Sequence, residues 1–404
     1  MKITDYLKNG QNTISIEISP PVLEAKKIAD SDPVNQPPSC QYPHSQCNIN
    51  RLRKPGYSFA WDWGPSLPDS GLYDIPIVYE VSKEKSWKIL GSRMQLVSKY
   101  SDEVQVIRVD VNLQAENSQP VGPLATLSVT LSSRANHSTP LITLKMRPYT
   151  SFATPTDVGY VLSAEFEINK KEIKFWWPNG HGKPYLYDAR ITLSVTLSVV
   201  PPLSETVDHV FGFRTAELIQ DKMNDGGYSF YFAINSKPIF MSGSNWIPAS
   251  NIFPESSIYY SKLLDIAALS GIKMLRVWGG GYYENEEFYT LAAERGITIW
   301  QDFMFACATY SNTSDYLANV GMEVDTQLWR LTTNPAVVVF AGNNENEVIL
   351  ATNVFDTNSN KEFYYGQYRD LYISTIRQKV INANLTIPFV SSSPTNGILT
   401  GSGF

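Results

Sequence analysis

The stretch "VVVFAGNNENEVIL", Val337–Leu350, decides the fold of the C-terminal half of this 404-residue chain. Five apolar residues and a glycine are followed at once by three asparagines and two glutamates. A continuous apolar run is typical of a strand buried on both faces of a parallel sheet. The polar residues after it have two interpretations: a solvated turn, or a carboxylic acid placed at the mouth of the strand for catalysis.

Strands and helices alternate on both sides of this stretch, from residue 217 to residue 404. The predicted strands are "PIFMSGSNW", "IKMLRVWGGG", "ITIWQDFMFA", "AVVVFAGNN" and "TIPFVSSSP", and helices separate them. Such alternation indicates parallel βα units. A doubly wound sheet alternates in the same way, but no glycine-rich phosphate loop follows the first strand. The sequence therefore predicts five strands of a partial (β/α)8 TIM barrel over 217–404.

The N-terminal half is predicted to be β-structure. Over 101–216, segments such as "DEVQVIRVDVNL" and "YLYDARITLSVTLSVV" alternate apolar and polar residues between turn signals, which is typical of an immunoglobulin-like β-sandwich. The sequence pattern of residues 1–100 predicts strands with long loops and no helix. They begin with a predicted hairpin that turns at Asn9-Gly10 and continues through the alternating isoleucines 14, 16 and 18.

Composition suits a globular protein and excludes several classes. The chain is 43% hydrophobic and 18% charged, which fits two or three domains. A net charge of −6 without a basic patch argues against a nucleic-acid partner. No window is apolar enough for a transmembrane helix, so no membrane partner is expected. No metal cluster or nucleotide motif appears, so neither a metal nor a cofactor is expected; the oligomeric state is not predicted.

Cysteines and sequons point to a secretory or lysosomal setting. Cys40 and Cys47 lie close together in a proline-rich loop, and a short disulfide is preferred over a metal pair because His44 is the only other soft ligand nearby. Asn-x-Ser/Thr sequons occur at Asn136, Asn312 and Asn384. The first residues do not resemble a signal peptide, which contradicts this setting unless the N-terminus is incomplete.

Catalytic groups of a (β/α)8 barrel lie at the carboxyl ends of its strands. The residues predicted there are Asn245, Trp246, Trp278, Asp302, Asn343, Asn344 and Glu345. Tryptophan faces stack on sugar rings, while amides and carboxylates bind hydroxyl groups, so these types suit a sugar site. Glycoside hydrolysis needs an acid that protonates the leaving oxygen. Glu345 fits that role if burial raises its proton affinity, whereas Glu347 is expected to lie beyond the strand end.

Several segments resemble a known family over nearly the whole chain. "GSNWIPAS", "LRVWGGGYYENEEFYTLAAERGITIWQDFMFACATY" and "FAGNNENE" resemble the barrel of β-mannosidases in glycoside hydrolase family 2, of the animal lysosomal type. "YSFAWDWGPSLPDSG" is similar to the signature loop of their sugar-binding domain. The resemblance implies a multidomain α+β chain whose residues 1–100 form a partial jelly-roll sugar-binding domain. It also implies retaining exo-hydrolysis of terminal non-reducing β-D-mannose from oligosaccharides and glycoproteins.

The resemblance also implies roles for individual residues. Glu345 matches the catalytic acid/base, and Asn344 matches the asparagine that binds the sugar 2-hydroxyl. The residues matching substrate-contacting tryptophans and their loop are Trp61, Asp62, Trp63 and Trp278, although packing between domains is an alternative for Trp63 and Trp278. Asp302 is expected to hold neighbouring polar groups. Cys307 is expected to be a buried thiol, and none of the four histidines (His44, His137, His181 and His209) is expected to be catalytic.

The chain departs from the family pattern at both ends. No segment matches the family's nucleophile, because the chain ends in "SSSPTNGILTGSGF", and the first jelly-roll strands are also missing. We therefore expect a chain truncated at both ends, with no normal turnover by itself. The alternatives are a non-catalytic carbohydrate-binding isoform, or a family 2 glycosidase acting on another sugar. The "WDWGP" loop favours mannose.

Overall fold

The computed structural model describes residues 6–72, 76, 87–97, 103–115, 125–135, 142–146, 149–150, 160–196, 203–224, 226–250, 257–383 and 385–395. The predicted N-terminal hairpin is wrong, because residues 7–20 contain no strand and their alternating isoleucines are exposed. A helix that was not predicted, α1 (Pro21–Ser31), follows. Proline suits its first position, where the missing N–H has no intrahelical partner. Two short 3₁₀ turns, Ile49–Arg51 and Gly56–Phe59, complete this loop-rich segment.

Two four-stranded antiparallel sheets follow and share one apolar core, as expected for a sandwich. The predicted boundary at residue 101 is wrong, because the first strand of the sandwich begins at Trp87 and pairs with the second. Their strands are β1 (Trp87–Leu96), β2 (Val104–Ala115), β3 (Ala125–Ser133), β4 (Ile142–Met146), β5 (Tyr149–Thr150), β6 (Tyr160–Asn169), β7 (Tyr187–Val195) and β8 (Leu203–Phe211). The sheet orders are β1-β2-β6-β5 and β4-β3-β7-β8. Side chains along β3 alternate strictly between buried and half-buried, as expected for a strand with one face on the core.

A five-stranded parallel sheet forms the C-terminal region, in the order in which its strands occur, and this confirms the predicted βα succession. A small antiparallel sheet of β9 (Ala216–Ile219), β10 (Tyr231–Ile234) and β11 (Lys237–Ile239) precedes it. The parallel strands are β12 (Gly243–Trp246), β13 (Met274–Val277), β14 (Thr298–Asp302), β15 (Val337–Ala341) and β16 (Phe389–Val390). All five residues of β15 are buried, because the sheet is covered on both faces.

Helices connect these strands. They are α2 (Ser257–Leu269), α3 (Glu286–Glu294), α4 (Ser314–Leu331), α5 (Asn346–Thr352), α6 (Lys361–Tyr368) and α7 (Gln378–Asn382), and π-helical turns at Arg369–Arg377 join the last two. Two further 3₁₀ turns are Lys170–Glu172 and Thr357–Asn360. Within the described ranges, no helix has both the length and the hydropathy needed to cross a membrane.

A half-buried ion pair joins the N-terminal loop to helix α4 of the barrel region. The Arg53 guanidinium donates to both carboxylate oxygens of Glu323 on α4, at 2.8 and 2.7 Å, and the Tyr283 hydroxyl donates to the same carboxylate at 2.7 Å. Arg53 also stacks on the Phe305 ring. Burial alone would raise the pKa of Glu323, but Arg53 outweighs it and holds that pKa below its usual value. Side-chain contacts, and not only the chain connection, therefore hold the loop against the barrel region.

The sandwich also packs on the barrel through hydrogen bonds to backbone carbonyls. The Trp176 indole donates to Ala293 O at 2.8 Å, and the Arg93 guanidinium donates to Ala383 O at 2.9 Å. A polar cleft of about 660 Å³ remains between the two regions. His209 lies on β8 at the rim of this cleft.

We expect His209 to make the stability of the sandwich depend on pH. Its Nε2 lies 2.7 Å from Ser92 Oγ, and burial lowers its pKa from 6.5 to about 4, while Asp208 opposes the shift. Because the folded pKa lies below the unfolded one, the unfolded chain binds the proton first, and stability falls as the pH drops from 6.5 to 4. The shift corresponds to about 3 kcal/mol. We expect His209→Gln to flatten the fall in melting temperature over that window.

Thermal unfolding at half-unit pH steps measures this effect. His181→Gln is the control, since His181 lies in an exposed turn. Parallel profiles for the wild type and His209→Gln would contradict the assignment to His209.

Candidate active site

The backbone at the end of β15 is shaped by close contacts with the next strand. A Cβ on Gly342 would lie 2.3 Å from Ser391 O, so only glycine fits there. Asn343 is fully buried; its amide donates to Ser391 O at 3.0 Å and its Oδ1 accepts from Asn346 N–H at 3.0 Å. These bonds turn the chain sharply from strand into α5 and fix where the next two residues point.

Glu345 is placed directly before α5 and its side chain is exposed. Its backbone lies in the left-handed region with φ of 64°, and its N–H donates to Ser393 O at 2.9 Å. The expectation that Glu345 is buried is therefore wrong, because the left-handed turn directs its side chain outward. Glu347, the second residue of α5, accepts hydrogen bonds from three hydroxyls, those of Tyr368, Ser391 and Thr395.

Asn344 and Asp302 are joined by Arg276, a residue that the sequence analysis missed. The Arg276 guanidinium donates to Asp302 Oδ2 and to Asn344 Oδ1, both at 2.8 Å. Asp302 is fully buried and also accepts from Trp300 Nε1 and Gly279 N–H, so its expected role of holding polar groups is confirmed. Arg276 is the one charged residue of β13, whose other three residues are apolar, and nothing in the sequence indicates its partners. Two strands thus orient the Asn344 amide.

Cys307 differs from the expected buried thiol. It is half-buried, and its Sγ donates to Glu345 Oε2 and accepts from Asn344 Nδ2, both at 3.2 Å. Its backbone N–H donates to Asn344 O at 3.0 Å. Burial, followed by the hydrogen bond to Glu345, raises the pKa of the thiol well above its usual value. A neutral thiol therefore lies between the two residues that the sequence singled out.

Aromatic rings from the N-terminal loop meet the strand ends. Trp61 and Trp278 are largely buried and pack edge to face with centroids 4.7 Å apart. Trp63 is 40% exposed, 5.9 Å from Trp278 and stacked on Tyr57. Packing between loop and barrel therefore accounts for most of the Trp61 and Trp278 surfaces. Trp63 leaves much of its surface open, and Asp62 beside it is exposed.

A disulfide closes the loop that supports these rings. Cys40 and Cys47 are bonded, which confirms the predicted pair. Between them, Tyr42 packs edge to face on Trp61 at 5.9 Å and stacks on His44, whose Nε2 lies 3.2 Å from Trp61 O. Burial, then Asp62 and Cys307, raises the pKa of the Tyr42 phenol, and its ring packs on the cluster that contains Trp61 and Trp278.

The remaining predicted residues lie at the first strand end or elsewhere. Asn245 is exposed and its Oδ1 accepts from Arg276 at 3.2 Å, whereas Trp246 Nε1 donates to the buried Glu284 at 2.8 Å. Trp246 thus supports the wall of the barrel. Asn312 is half-buried, and its amide donates to Asp370 at 2.7 Å. Three residues named in the sequence analysis lie outside the described ranges: Asn136, His137 and Asn384. No cluster of three metal-ligating side chains occurs among the residues that the structure describes.

Known proteins resemble this chain in sequence and in fold. The family described as "Glycosyl hydrolase 2 galactose-binding domain-like" matches residues 1–74. The β-mannosidase of Rattus norvegicus is 35% identical over 90% of this chain and 40% of its own length. The β-mannosidase of Capra hircus is 34% identical over 98% and 44%, respectively. A crystal structure of β-D-mannosidase from Dictyoglomus thermophilum matches with 28% identity and a TM-score of 0.72, over 93% of this chain and 42% of that one.

The β-sandwich and the parallel sheet agree with the fold of the solved β-D-mannosidase, and the identity to curated β-mannosidases over most of the chain shows that it belongs to glycoside hydrolase family 2. Within that family it is of the β-mannosidase type. The chain spans about two fifths of the length of the curated relatives that it matches.

Proposed function

We propose that this chain carries the acid/base half of a retaining exo-β-mannosidase, which removes terminal non-reducing β-D-mannose from oligosaccharides and glycoproteins. One observation carries the proposal: the exposed Glu345 carboxylate shares a hydrogen bond with Cys307, which packs against the Trp61–Trp278 pair. An acid, an amide donor and aromatic walls therefore converge at one set of strand ends, and these are the groups that sugar hydrolysis requires.

Each residue has a role in this proposal. Glu345 protonates the leaving glycosidic oxygen and later removes a proton from water. Asn344 binds a hydroxyl of the sugar next to the reacting carbon. Trp61, Asp62, Trp63 and Trp278 form the wall of the mannose subsite, with Trp63 as the most accessible ring. The buried ion pair of Asp302 with Arg276 leaves that carboxylate closed to substrate.

Retention of configuration requires a second carboxylate about 5–5.5 Å from the acid, acting as nucleophile. Asp302 does not meet this need, because it is fully buried and accepts hydrogen bonds from Arg276, Trp300 and Gly279. The chain spans about two fifths of the length of its curated relatives, so we propose that the nucleophile lies in the region that corresponds to the rest of their length. The activity is therefore tested on a protein that includes that region, here called the complete protein.

A panel of 4-nitrophenyl β-glycosides tests the proposal. We expect hydrolysis of the mannoside in preference to the glucoside, galactoside and glucuronide, and proton NMR early in the reaction is expected to detect β-mannose first. First release of α-mannose would refute retention. Preference for another sugar would favour a different family 2 glycosidase. Mannose binding without hydrolysis would favour the non-catalytic carbohydrate-binding protein.

We also propose a lysosomal location with N-glycosylation, on the basis of the disulfide, the sequons and the animal relatives. A glycan on the Asn312 amide would displace its hydrogen bond to Asp370, so we expect low occupancy at this sequon. Peptide mapping with and without glycosidase treatment of the secreted or lysosomal protein tests each sequon separately.

A further inference from the structure

A continuous chain of hydrogen bonds runs from the buried floor of the barrel to Glu345. It begins at Asp302, which is fully buried, and passes through Arg276 to the Asn344 amide. The Asn344 amide then donates to Cys307, and Cys307 donates to Glu345. The first four members are buried or half-buried, and only the last is exposed. Among the residues that the structure describes, Cys307 is thus the side chain that links the buried members of this series to the exposed Glu345 carboxylate.

We propose that Cys307 is a positioning residue: its thiol holds the Glu345 carboxylate in the direction needed for proton transfer and fixes which way the Asn344 amide faces. This inference deepens the proposed function and rests on it. The residue does not react and does not touch the glycosidic bond. It acts through the acid/base and through the sugar-binding amide.

The contacts explain why a thiol suits this position. Arg276 offers only donors, so it requires Asn344 to present Oδ1, and the amide nitrogen must then find an acceptor on its other side. Sulfur accepts that bond while its own hydrogen is left for Glu345. An exposed carboxylate would otherwise sample several rotamers, and one directed bond narrows that freedom. The left-handed backbone of Cys307, with φ of 46°, aims Sγ at both partners.

The charges around Cys307 come from several elements. Glu345 faces it from the start of α5 and raises the thiol pKa, whereas Arg276 faces it from β13 and lowers it. Two phenols face it as well, Tyr42 from the disulfide loop and Tyr310 from the segment that follows Cys307. Burial is the largest cause of the raised pKa, so the thiol stays neutral and remains a donor at neutral and acidic pH.

Thiol reactivity tests the contact without any enzyme activity. The chain has three cysteines and two are in the disulfide, so Cys307 is its one free thiol. Removing the carboxylate charge in Glu345→Gln lowers the thiol pKa and exposes more thiolate, and the rate of iodoacetamide alkylation near pH 9 is expected to rise about threefold to tenfold. Glu347→Gln is the matched control, with an unchanged rate expected. Equal rates in wild type and Glu345→Gln would overturn the contact.

Kinetics of the complete protein test the positioning role. Cys307→Ala is expected to lower kcat/KM about tenfold for an aryl β-mannoside whose leaving phenol is weakly acidic. It should change kcat/KM little for a dinitrophenyl mannoside, because kcat/KM reports the first step and that step then needs no protonation. Cys307→Ser, which keeps a donor and an acceptor, should recover most of the loss. An equal loss with both substrates, or no recovery by serine, would overturn positioning of the acid.

These two experiments separate this inference from the proposed function. If the complete protein hydrolyses no mannoside but alkylation still depends on Glu345, the proposed function fails, and with it the catalytic part of the inference, while the contact stands. If the protein hydrolyses mannosides and Cys307→Ala matches the wild type with every leaving group, the inference alone fails.

Discussion

Glu345→Gln in the complete protein is expected to lower kcat/KM for weakly acidic aryl β-mannosides by about 10²–10⁴-fold, the usual contribution of a general acid. Glutamine keeps the size of the side chain and can accept from Cys307 through its amide oxygen, so the local structure should survive. What it loses is the proton that the leaving oxygen needs. The measurement is initial rates against substrate concentration for a series of aryl mannosides with different leaving phenols.

The dependence on the leaving group separates acid catalysis from general damage. With dinitrophenyl mannoside the first step needs no proton, so the Glu345→Gln variant should form the glycosyl-enzyme almost normally. Glu347→Gln is the control two residues along the chain, because Glu347 accepts from hydroxyls inside the fold rather than facing the site. The acid assignment fails if Glu345→Gln loses the same factor with every leaving group, or if Glu347→Gln loses more.

Much of the fold follows from periodicity. The sandwich strands alternate every two residues because one face of each is buried, and β15 is apolar throughout because the parallel sheet is covered on both faces. The N-terminal hairpin failed for a related reason. Apolar residues alternate there at Ile14, Ile16 and Ile18. An alternating segment forms a strand only where it can pair with another strand and pack one face on a core, and here the three side chains are exposed.

The sequence predicted most of the residues that lie in the candidate site, but not the hydrogen bonds between them. Strand ends located Asn344 and Glu345, since the carboxyl ends of parallel strands meet at one edge. Arg276 was overlooked because its bonds to Asp302 and Asn344 join three separate strands, and no local pattern encodes them. Cys307 was misjudged because its partners lie 37 and 38 residues away. The left-handed turn at Glu345 depends on contacts of Gly342 with Ser391 and of Glu345 with Ser393, both of which follow β16.

The ion pair of Arg276 with Asp302 is expected to have a large effect on the stability of the barrel region. Arg276→Met leaves a fully buried carboxylate without its cation, and breaking a buried pair in this way costs about 3–5 kcal/mol. We therefore expect the unfolding midpoint of the barrel to fall sharply. Asn344 and Asn245 lose their shared donor at the same time, so any sugar binding should weaken as well. Urea unfolding followed by tryptophan fluorescence measures the change, since Trp300 donates to Asp302.

The pH dependence of that loss distinguishes a stranded charge from a lost packing contact. Burial raises the pKa of Asp302 even in the wild type, where Arg276, Trp300 and Gly279 oppose the shift. Without Arg276 the folded pKa rises further above the unfolded value, so the folded state holds its proton over a wider range. The penalty of Arg276→Met should therefore be largest at high pH and shrink as the pH falls through the folded pKa.

Arg276→Met with Asp302→Asn should recover part of the loss at neutral pH, because no buried charge remains. Arg190→Met is the control, as its ion pair with Asp208 is exposed and should not affect the midpoint. A loss in Arg276→Met that is equal at all pH values, with no recovery in the double variant, would assign Arg276 to packing alone.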